Sequence, residues 1–250
     1  MKMLHLFCTA LLAGWLTAAC TTPEPEVDPA SGAPEKGYAT GKAVDTGGKP
    51  LADVEIVVNN TQFYNSNIVG RTDSKGQYKL QLSPGSWYVR GTVKVQFDNR
   101  TYVLDLHPET DGAFAGTEGA VRNLRWKLTG AKPTEFGATG HYGGLVEVYG
   151  DNIFDTDQVE LSLEPVGTLI DGSTGQKIVR RLEGGSIGNT EDIPLGRYRI
   201  TARHLSKGKA VKIRLRNEGE YADEVTSSFE PAYAGATGRY KLTLEARLVQ

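Results

Sequence analysis

From residue 38 onward, apolar and polar residues alternate in short runs that are typical of β-strands. In the first half, the residues at every second position are apolar or small in five runs: Val54, Ile56 and Val58; Tyr78, Leu80 and Leu82; Trp87, Val89, Gly91, Val93 and Val95; Tyr102, Leu104 and Leu106; and Leu124, Trp126 and Leu128. Such runs place one side of each strand in a core and the other in water. Turn sequences separate them, and no segment longer than two turns has helical spacing. This spacing predicts an antiparallel β-sandwich.

The alternation stops at residues 129–140, whose sequence is TGAKPTEFGATG, and then resumes. The later runs again carry apolar residues at every second position: Val159, Leu161 and Leu163; Tyr198, Ile200 and Ala202; Val211, Ile213 and Leu215; and Tyr240, Leu242, Leu244, Ala246 and Leu248. We therefore predict an all-β chain with two consecutive antiparallel β-sandwich modules, at residues 38–130 and residues 139–250.

The first 19 residues have the features of an export signal. Lys2 precedes an apolar run that ends in small residues and is too short for a comfortable transmembrane helix. Residues 16–20, LTAAC, resemble a bacterial lipobox. The resemblance implies cleavage before Cys20, attachment of diacylglycerol to its sulfur, and acylation of the new amino group, for example by palmitate. The alternative is an ordinary signal peptide that happens to contain a cysteine.

A lipid on Cys20 would make the membrane a partner and would place the protein in the outer membrane, facing the periplasm or the cell surface. Residues 20–37 are rich in proline and acidic residues, so we expect a flexible linker between the anchor and the folded modules. Both cysteines, Cys8 and Cys20, lie in this N-terminal region. The folded modules therefore contain no disulfide and no thiolate nucleophile.

Four segments of the first module follow one another in a recognisable order. They are GKAVD at residues 41–45, GKPLADV at 48–54, TDSKGQY at 72–78 and PGSWYV at 84–89. Together they resemble the carboxypeptidase regulatory-like domain, a prealbumin-like β-sandwich that is often appended to exported bacterial proteins. The resemblance implies this fold for residues 38 to 106, whereas the second module shares only a Pro/Gly turn before an aromatic-bearing strand.

Composition and the scattered titratable residues argue against catalysis and against nucleic acid. The formal net charge is −2 and the pI is near 6.1, so the chain has no general basic field. The segment His107-Pro108-Glu109 lacks the His-x-x-Glu spacing of zinc carboxypeptidases, and no Gly-x-x-x-x-Gly-Lys-Ser/Thr phosphate loop occurs. We predict a protein that is not an enzyme and that uses no cofactor and no metal.

An oxygen-rich cluster in the second module is the remaining metal candidate. Asp151, Asn152, Asp155 and Asp157 lie close together but lack the spacing and terminal Glu of an EF-hand. A solvated turn is the favoured interpretation, with calcium binding as the alternative.

The segment NNTQFYNSN at residues 59–67 combines aromatic rings with amides. Aromatic faces stack on the C–H faces of sugars while amides bind hydroxyl groups, and loops on rigid scaffolds commonly carry binding sites. The candidate ligand-binding residues are Gln62, Phe63, Tyr64, Asn65 and Asn67. Alternatively, the rings fold back as a lid over the core.

Six cations share one parity on two consecutive runs of the second module. They are Arg197, Arg199, Arg203, Lys212, Arg214 and Arg216. A turn at residues 206–209 would join the runs into a hairpin with one basic face. Either neighbouring acids such as Glu160 and Glu164 neutralise that face, or an anionic partner does.

The sequence as a whole indicates a non-enzymatic, membrane-anchored lipoprotein. We expect a binding or scaffolding component of the bacterial cell envelope, with a glycan or an envelope protein as its partner. The alternative is a dedicated carbohydrate-binding lipoprotein whose site is the 59–67 loop.

Overall fold

A computed structural model describes residues 32–151, 155–206 and 210–249. The predicted signal, Cys20 and most of the predicted linker lie outside these residues. Within them the chain is nearly all β, and its helical content is two three-residue 3-10 turns, Glu135–Gly137 and Thr156–Gln158. The predicted all-β fold is confirmed.

Ten strands form the first module as two facing sheets. The strands are β1 (Tyr38–Val44), β2 (Glu55–Asn60), β3 (Asn67–Arg71), β4 (Gln77–Gln81), β5 (Ser86–Phe97), β6 (Arg100–Asp105), β7 (His107–Pro108), β8 (Phe114–Ala115), β9 (Ala120–Val121) and β10 (Leu124–Arg125). One sheet has the order β4-β1-β10-β7, with β9 beside β1. The other has the order β3-β2-β5-β6, with β8 beside β5.

Nine strands form one hydrogen-bonded sheet in the second module. They are β11 (Gly144–Gly150), β12 (Val159–Leu169), β13 (Ile178–Arg181), β14 (Ile187–Ile193), β15 (Gly196–His204), β16 (Ala210–Leu215), β17 (Glu224–Ser228), β18 (Glu230–Pro231) and β19 (Tyr240–Leu248). The order is β13-β12-β15-β16-β19-β11-β14, with β17 beside β15 and β18 beside β19. The apolar side of this sheet is buried: Val146, Leu161, Ile200, Ile213 and Leu244 are each 0% exposed.

Most strand pairs are antiparallel, as the alternation predicts, but three are parallel. β1 pairs in parallel with β9 and β10, and β11 pairs in parallel with β19. Parallel neighbours are joined by long connections, so no local turn sequence signals them.

The apolar positions of the alternating runs form the core. Ile56, Val58, Leu161, Ile200 and Leu244 are fully buried. The indoles of Trp87 and Trp126 are also buried, and Trp87 Nε1 donates a hydrogen bond to Ser83 O at 3.0 Å. The buried residues of both modules belong to one continuous hydrophobic cluster.

The outer edge of β6 joins the first module to the second through buried tyrosines. Tyr102 donates its hydroxyl to Phe229 O at 2.7 Å, and the ring centroids of Tyr102 and Tyr240 are 4.8 Å apart. The Tyr240 hydroxyl accepts a hydrogen bond from Val103 N at 2.6 Å and lies 3.1 Å from Val103 O. Burial raises the pKa of Tyr102 to about 12.

Charged groups complete the same interface. Lys132 Nζ is buried and donates to Asp105 Oδ2 and to Gly238 O, both at 2.6 Å. Arg197 Nη1 lies 3.1 Å from Asp98 Oδ2. The pKa of Asp98 is lowered, mainly by a hydrogen bond from the Ser228 side chain and also by Arg197. Within the described ranges, no sheet contains strands from both sides of the predicted break, which lies between the end of β10 at residue 125 and the start of β11 at residue 144. The division of the chain into two domains stays a prediction.

We expect Trp87→Ala or Trp126→Ala to lower the free energy of unfolding by about 3–5 kcal/mol, because each substitution leaves a cavity in the core. The double variant Phe63→Ala/Tyr64→Ala should change the melting temperature by only a few degrees, since both rings are exposed. Thermal and urea unfolding measure both effects. A loss of stability in the loop variant as large as that in the Trp variants would contradict the assignment.

We expect a protease nick within residues 134–138 to leave the two halves of the folded chain associated. The contacts of Tyr102 with Phe229, Tyr240 with Val103 and Lys132 with Gly238 lie outside the nicked segment and join the two halves. Size-exclusion chromatography under native conditions should yield one species, which splits into two fragments in denaturant. Separation of two folded fragments without denaturant would instead show that the modules are independent.

Candidate functional site

The 59–67 segment connects the hairpin strands β2 and β3 and holds its own shape. Asn60 Oδ1 accepts hydrogen bonds from the backbone N–H groups of Gln62 at 2.8 Å and Phe63 at 3.0 Å. Asn65 has a φ of 59°, a left-handed conformation that asparagine tolerates well. Thr61 N donates to Ser86 O at 2.9 Å, which ties the loop to β5.

Both aromatic rings of this loop project into solvent. Phe63 is 65% exposed and Tyr64 is 100% exposed, so neither ring folds back over the core. Gln62, Asn65 and Asn67 are exposed as well. All five predicted ligand-binding residues therefore lie on one accessible loop, and ligand binding by them stays a prediction.

The outer side of the β3-β2-β5 sheet continues this surface away from the loop. Asn67 and Tyr88 both pair with Asn59, from opposite sides, so the three residues form one row across the sheet. Residues paired in this way have Cβ atoms about 4.5–5.5 Å apart. The amides of the predicted site thus lead directly to an aromatic ring on β5.

Beyond this row the surface deepens into a cleft of about 390 Å³. Its walls come from the β2-β5 face and from the segment that joins the modules, and include Asn59, Tyr88, Arg90, Phe136 and Tyr142. The Phe136 ring stacks on Tyr88 with a centroid distance of 4.1 Å and an interplanar angle of 7°. The sequence interpretation missed this cleft because it treated residues 129–140 only as a break.

Acidic side chains neutralise the predicted basic face. Arg203 Nε lies 2.6 Å from Glu160 Oε1, and Arg199 Nη2 lies 2.6 Å from Glu164 Oε2. The hydrogen bond from Arg199 is the main cause that lowers the pKa of Glu164. Glu160 and Glu164 are the two acids that the sequence analysis named as partners for the basic face.

The other four cations of the face have partners as well. Their interactions are Arg197 with Asp98 at 3.1 Å, Lys212 with Asp223 at 3.6 Å, Arg214 with Glu245 at 2.7 Å, and Arg216 over the Tyr149 ring at 3.5 Å. Five of the six cations therefore lie beside a carboxylate, and binding of an anionic partner by this face stays a prediction.

The predicted hairpin holds only near its tip. β15 and β16 pair through Ala202–Val211 and Arg203–Ala210, after which β17 takes the edge of β15 and β16 continues beside β19. The tip itself, residues 207–209, lies outside the described residues. Five of the six cations therefore lie on two diverging strands instead of one continuous ribbon, and Arg216 lies directly after the end of β16.

The histidines and the acidic cluster make separate local contacts. Nδ1 of His107 lies 3.1 Å from the Tyr142 hydroxyl, and Nδ1 of His141 lies 2.9 Å from Glu191 Oε2. Burial is the main cause that lowers the pKa of His107. Asp151 pairs with Arg247 at 2.7 Å, while Asn152 of the same predicted cluster lies outside the described residues.

The described part of the chain has neither a metal-binding cluster nor a membrane-spanning helix. It contains no group of three or more His, Cys, Asp or Glu side chains arranged to hold a metal ion. None of its helices has the length and apolar character needed to cross a membrane.

The chain matches no protein-family model and no curated protein. Among solved structures, it is similar to the Bacillus anthracis TIE protein, with 14% identity and a TM-score of 0.32 over 86% of this chain and 34% of that one. It is also similar to GBS52, the minor pilin of Streptococcus agalactiae, with 13% identity and a TM-score of 0.27 over 85% of this chain and 96% of that one.

A third similar structure is a putative adhesin from Bacteroides ovatus, with 9% identity and a TM-score of 0.28 over 78% of this chain and 83% of that one. The chain spans about a third of the TIE protein structure. At these TM-scores the similarities assign neither a detailed fold nor a function.

Proposed function

We propose that this protein is a non-enzymatic lipoprotein, anchored by lipid on Cys20, that acts as a binding or scaffolding component of the bacterial cell envelope. The observation that carries the proposal is a rigid β framework that holds an exposed aromatic and amide loop away from its core. The lipobox and the proline-rich linker supply the anchor and its reach. The proposed location is the outer membrane, facing the periplasm or the cell surface.

The turns of the first module support its proposed relationship to carboxypeptidase regulatory-like domains. In the segment TDSKGQY, Asp73 Oδ1 accepts hydrogen bonds from Lys75 N and Gln77 N, both at 2.8 Å, and Gly76 has a φ of 74°. In the segment GKAVD, a Cβ on Gly41 would lie 2.1 Å from Arg122 O. Gly76 is therefore required by the left-handed conformation of its turn, and Gly41 by the close approach of Arg122 O to strand β1.

We expect the Cys20→Ser variant to lose its membrane association or to remain unprocessed, because two or more acyl chains are needed for stable anchoring. Fractionation of cells that express the full chain, with mass spectrometry of the mature N-terminus, measures this. A Cys8→Ser variant is the matched control and should behave as wild type, since the signal is removed. Cleavage elsewhere without lipid would contradict the proposed anchor.

Carbohydrate binding by the 59–67 loop is the second candidate function. The exposure of Phe63 and Tyr64 on a loop fixed by its own hydrogen bonds favours it. A loop backbone that is already fixed loses little conformational freedom on binding, and the flanking amides can bind sugar hydroxyls. An envelope protein is the other partner that such a loop would suit.

We expect Phe63→Ala/Tyr64→Ala to abolish retardation of the protein in native gels that contain soluble β-glucan, xylan, mannan or galactan. Tyr233→Ala is the matched control, because Tyr233 is also exposed, at 61%, but belongs neither to the 59–67 loop nor to the cleft lined by Tyr88 and Phe136. The control should migrate like wild type. Equal retardation of wild type and the loop variant would rule out the loop as the sugar site.

A further inference from the structure

We propose that Tyr88 is the platform of a second sugar subsite, and that Phe136 covers this platform when no glycan is bound. The proposal rests on the carbohydrate-binding candidate and extends its site from the loop into the adjacent cleft. The ligand it implies is a chain of neutral sugars, of which one ring lies at the loop and another lies on Tyr88.

The Phe136 ring lies flat on the Tyr88 ring at the surface, as a bound sugar ring would, and it is not enclosed as a core residue would be. Its ring is parallel to Tyr88 at a centroid distance of 4.1 Å, an arrangement that a pyranose ring would also adopt on an aromatic face. The Phe136 residue is only partly buried, and its neighbours Glu135 and Gly137 are exposed. Removing this ring from Tyr88 therefore leaves the core intact.

The backbone at Phe136 is strained in the covered state. Its φ is 61° and its ψ is 29°, a left-handed conformation that is unfavourable for a bulky residue. Release of the ring would relieve this strain. Gly137, with a φ of 82°, follows Phe136 directly and provides the backbone freedom for such a movement.

The base of the segment is fixed, so movement is confined to its tip. Lys132 N donates to Gly140 O at 2.8 Å and Tyr142 N donates to Gly130 O at 2.9 Å. Lys132 Nζ is anchored in the interface between the modules. The tip is held to the sheet by the stacked ring and by a hydrogen bond from Arg90 Nη2 to Glu135 O at 3.0 Å.

Register and charge indicate what the uncovered surface would bind. Asn67, Asn59 and Tyr88 form one row, so amides lie between the loop and the platform. The charged groups near the cleft are paired, Arg90 with Asp111 and Lys132 with Asp105. A mostly apolar cleft with amides and internally paired charges suits neutral sugars, since an anionic ligand would have to break these ion pairs.

The gel assay with soluble polysaccharides tests the subsite when Phe136→Ala and Tyr88→Ala are added to the loop variant and the Tyr233→Ala control. Phe136→Ala should bind the retarding polysaccharide at least threefold more tightly, because the competing ring is gone. Tyr88→Ala should weaken binding tenfold or more. In aromatic NMR spectra of wild type, addition of that polysaccharide should remove the ring-current shifts that Tyr88 and Phe136 impose on each other.

The pattern of results separates this proposal from the candidate function on which it rests. If the loop variant loses binding while Tyr88→Ala and Phe136→Ala bind as wild type does, the loop is a sugar site and the Tyr88 subsite is wrong. If Phe136→Ala weakens binding, the ring is part of the binding surface and the covering role is overturned. If neither wild type nor Phe136→Ala is retarded by any of the four polysaccharides, both proposals fail for neutral glycans.

Discussion

The described structure depends on one constraint, which is that each apolar sheet surface must be covered by another sheet surface. The folded modules contain no cysteine that could form a disulfide, and no α-helix lies among the described residues to cover a sheet. Burial of alternating side chains therefore supplies most of the stability. The two sheets of the first module and the nine-stranded sheet of the second both bury their apolar sides under this constraint.

The edge of β6 shows how this constraint also joins the modules. An open strand edge exposes unpaired backbone groups, which favours aggregation unless the edge is covered. Here Tyr240 contacts both backbone polar groups of Val103, and Tyr102 reaches Phe229 O. The buried ammonium group of Lys132 adds directional contacts to Asp105 and Gly238. Polar groups buried in this way require accurate placement, so they fix the orientation of one module on the other.

The sequence predicts the strands and the core well because both are local consequences of a two-residue period. Trp87 and Trp126 are buried, as their parity with neighbouring apolar residues requires. The pairing of Arg199 and Arg203 with Glu164 and Glu160 also follows from parity. In contrast, the parallel pairing of β11 with β19 joins residues about a hundred positions apart, and no local pattern encodes it.

The same limit explains why the sequence identified only part of the candidate site. The 59–67 loop was recognisable from composition, since its aromatic and amide residues are adjacent in the chain. The Tyr88 platform was not, because Tyr88 occupies a polar-side position of a regular strand and Phe136 lies in a segment without periodicity. Their contact is created by the return of the connecting segment over the sheet, which depends on the β6 interface that anchors Lys132.

Folding alone does not account for the aromatic residues on this side of the first module. Exposure of Phe63 and Tyr64 leaves apolar area in water, and the left-handed backbone at Phe136 is disfavoured for a bulky residue. Polar residues at positions 63 and 64 and a glycine at position 136 would form the same turns without exposed apolar area or an unfavourable backbone conformation. The row from Asn67 to Tyr88 connects the two features across the sheet, so they belong to one surface. Two unfavourable local choices on one continuous surface are what a binding site, rather than a core, requires.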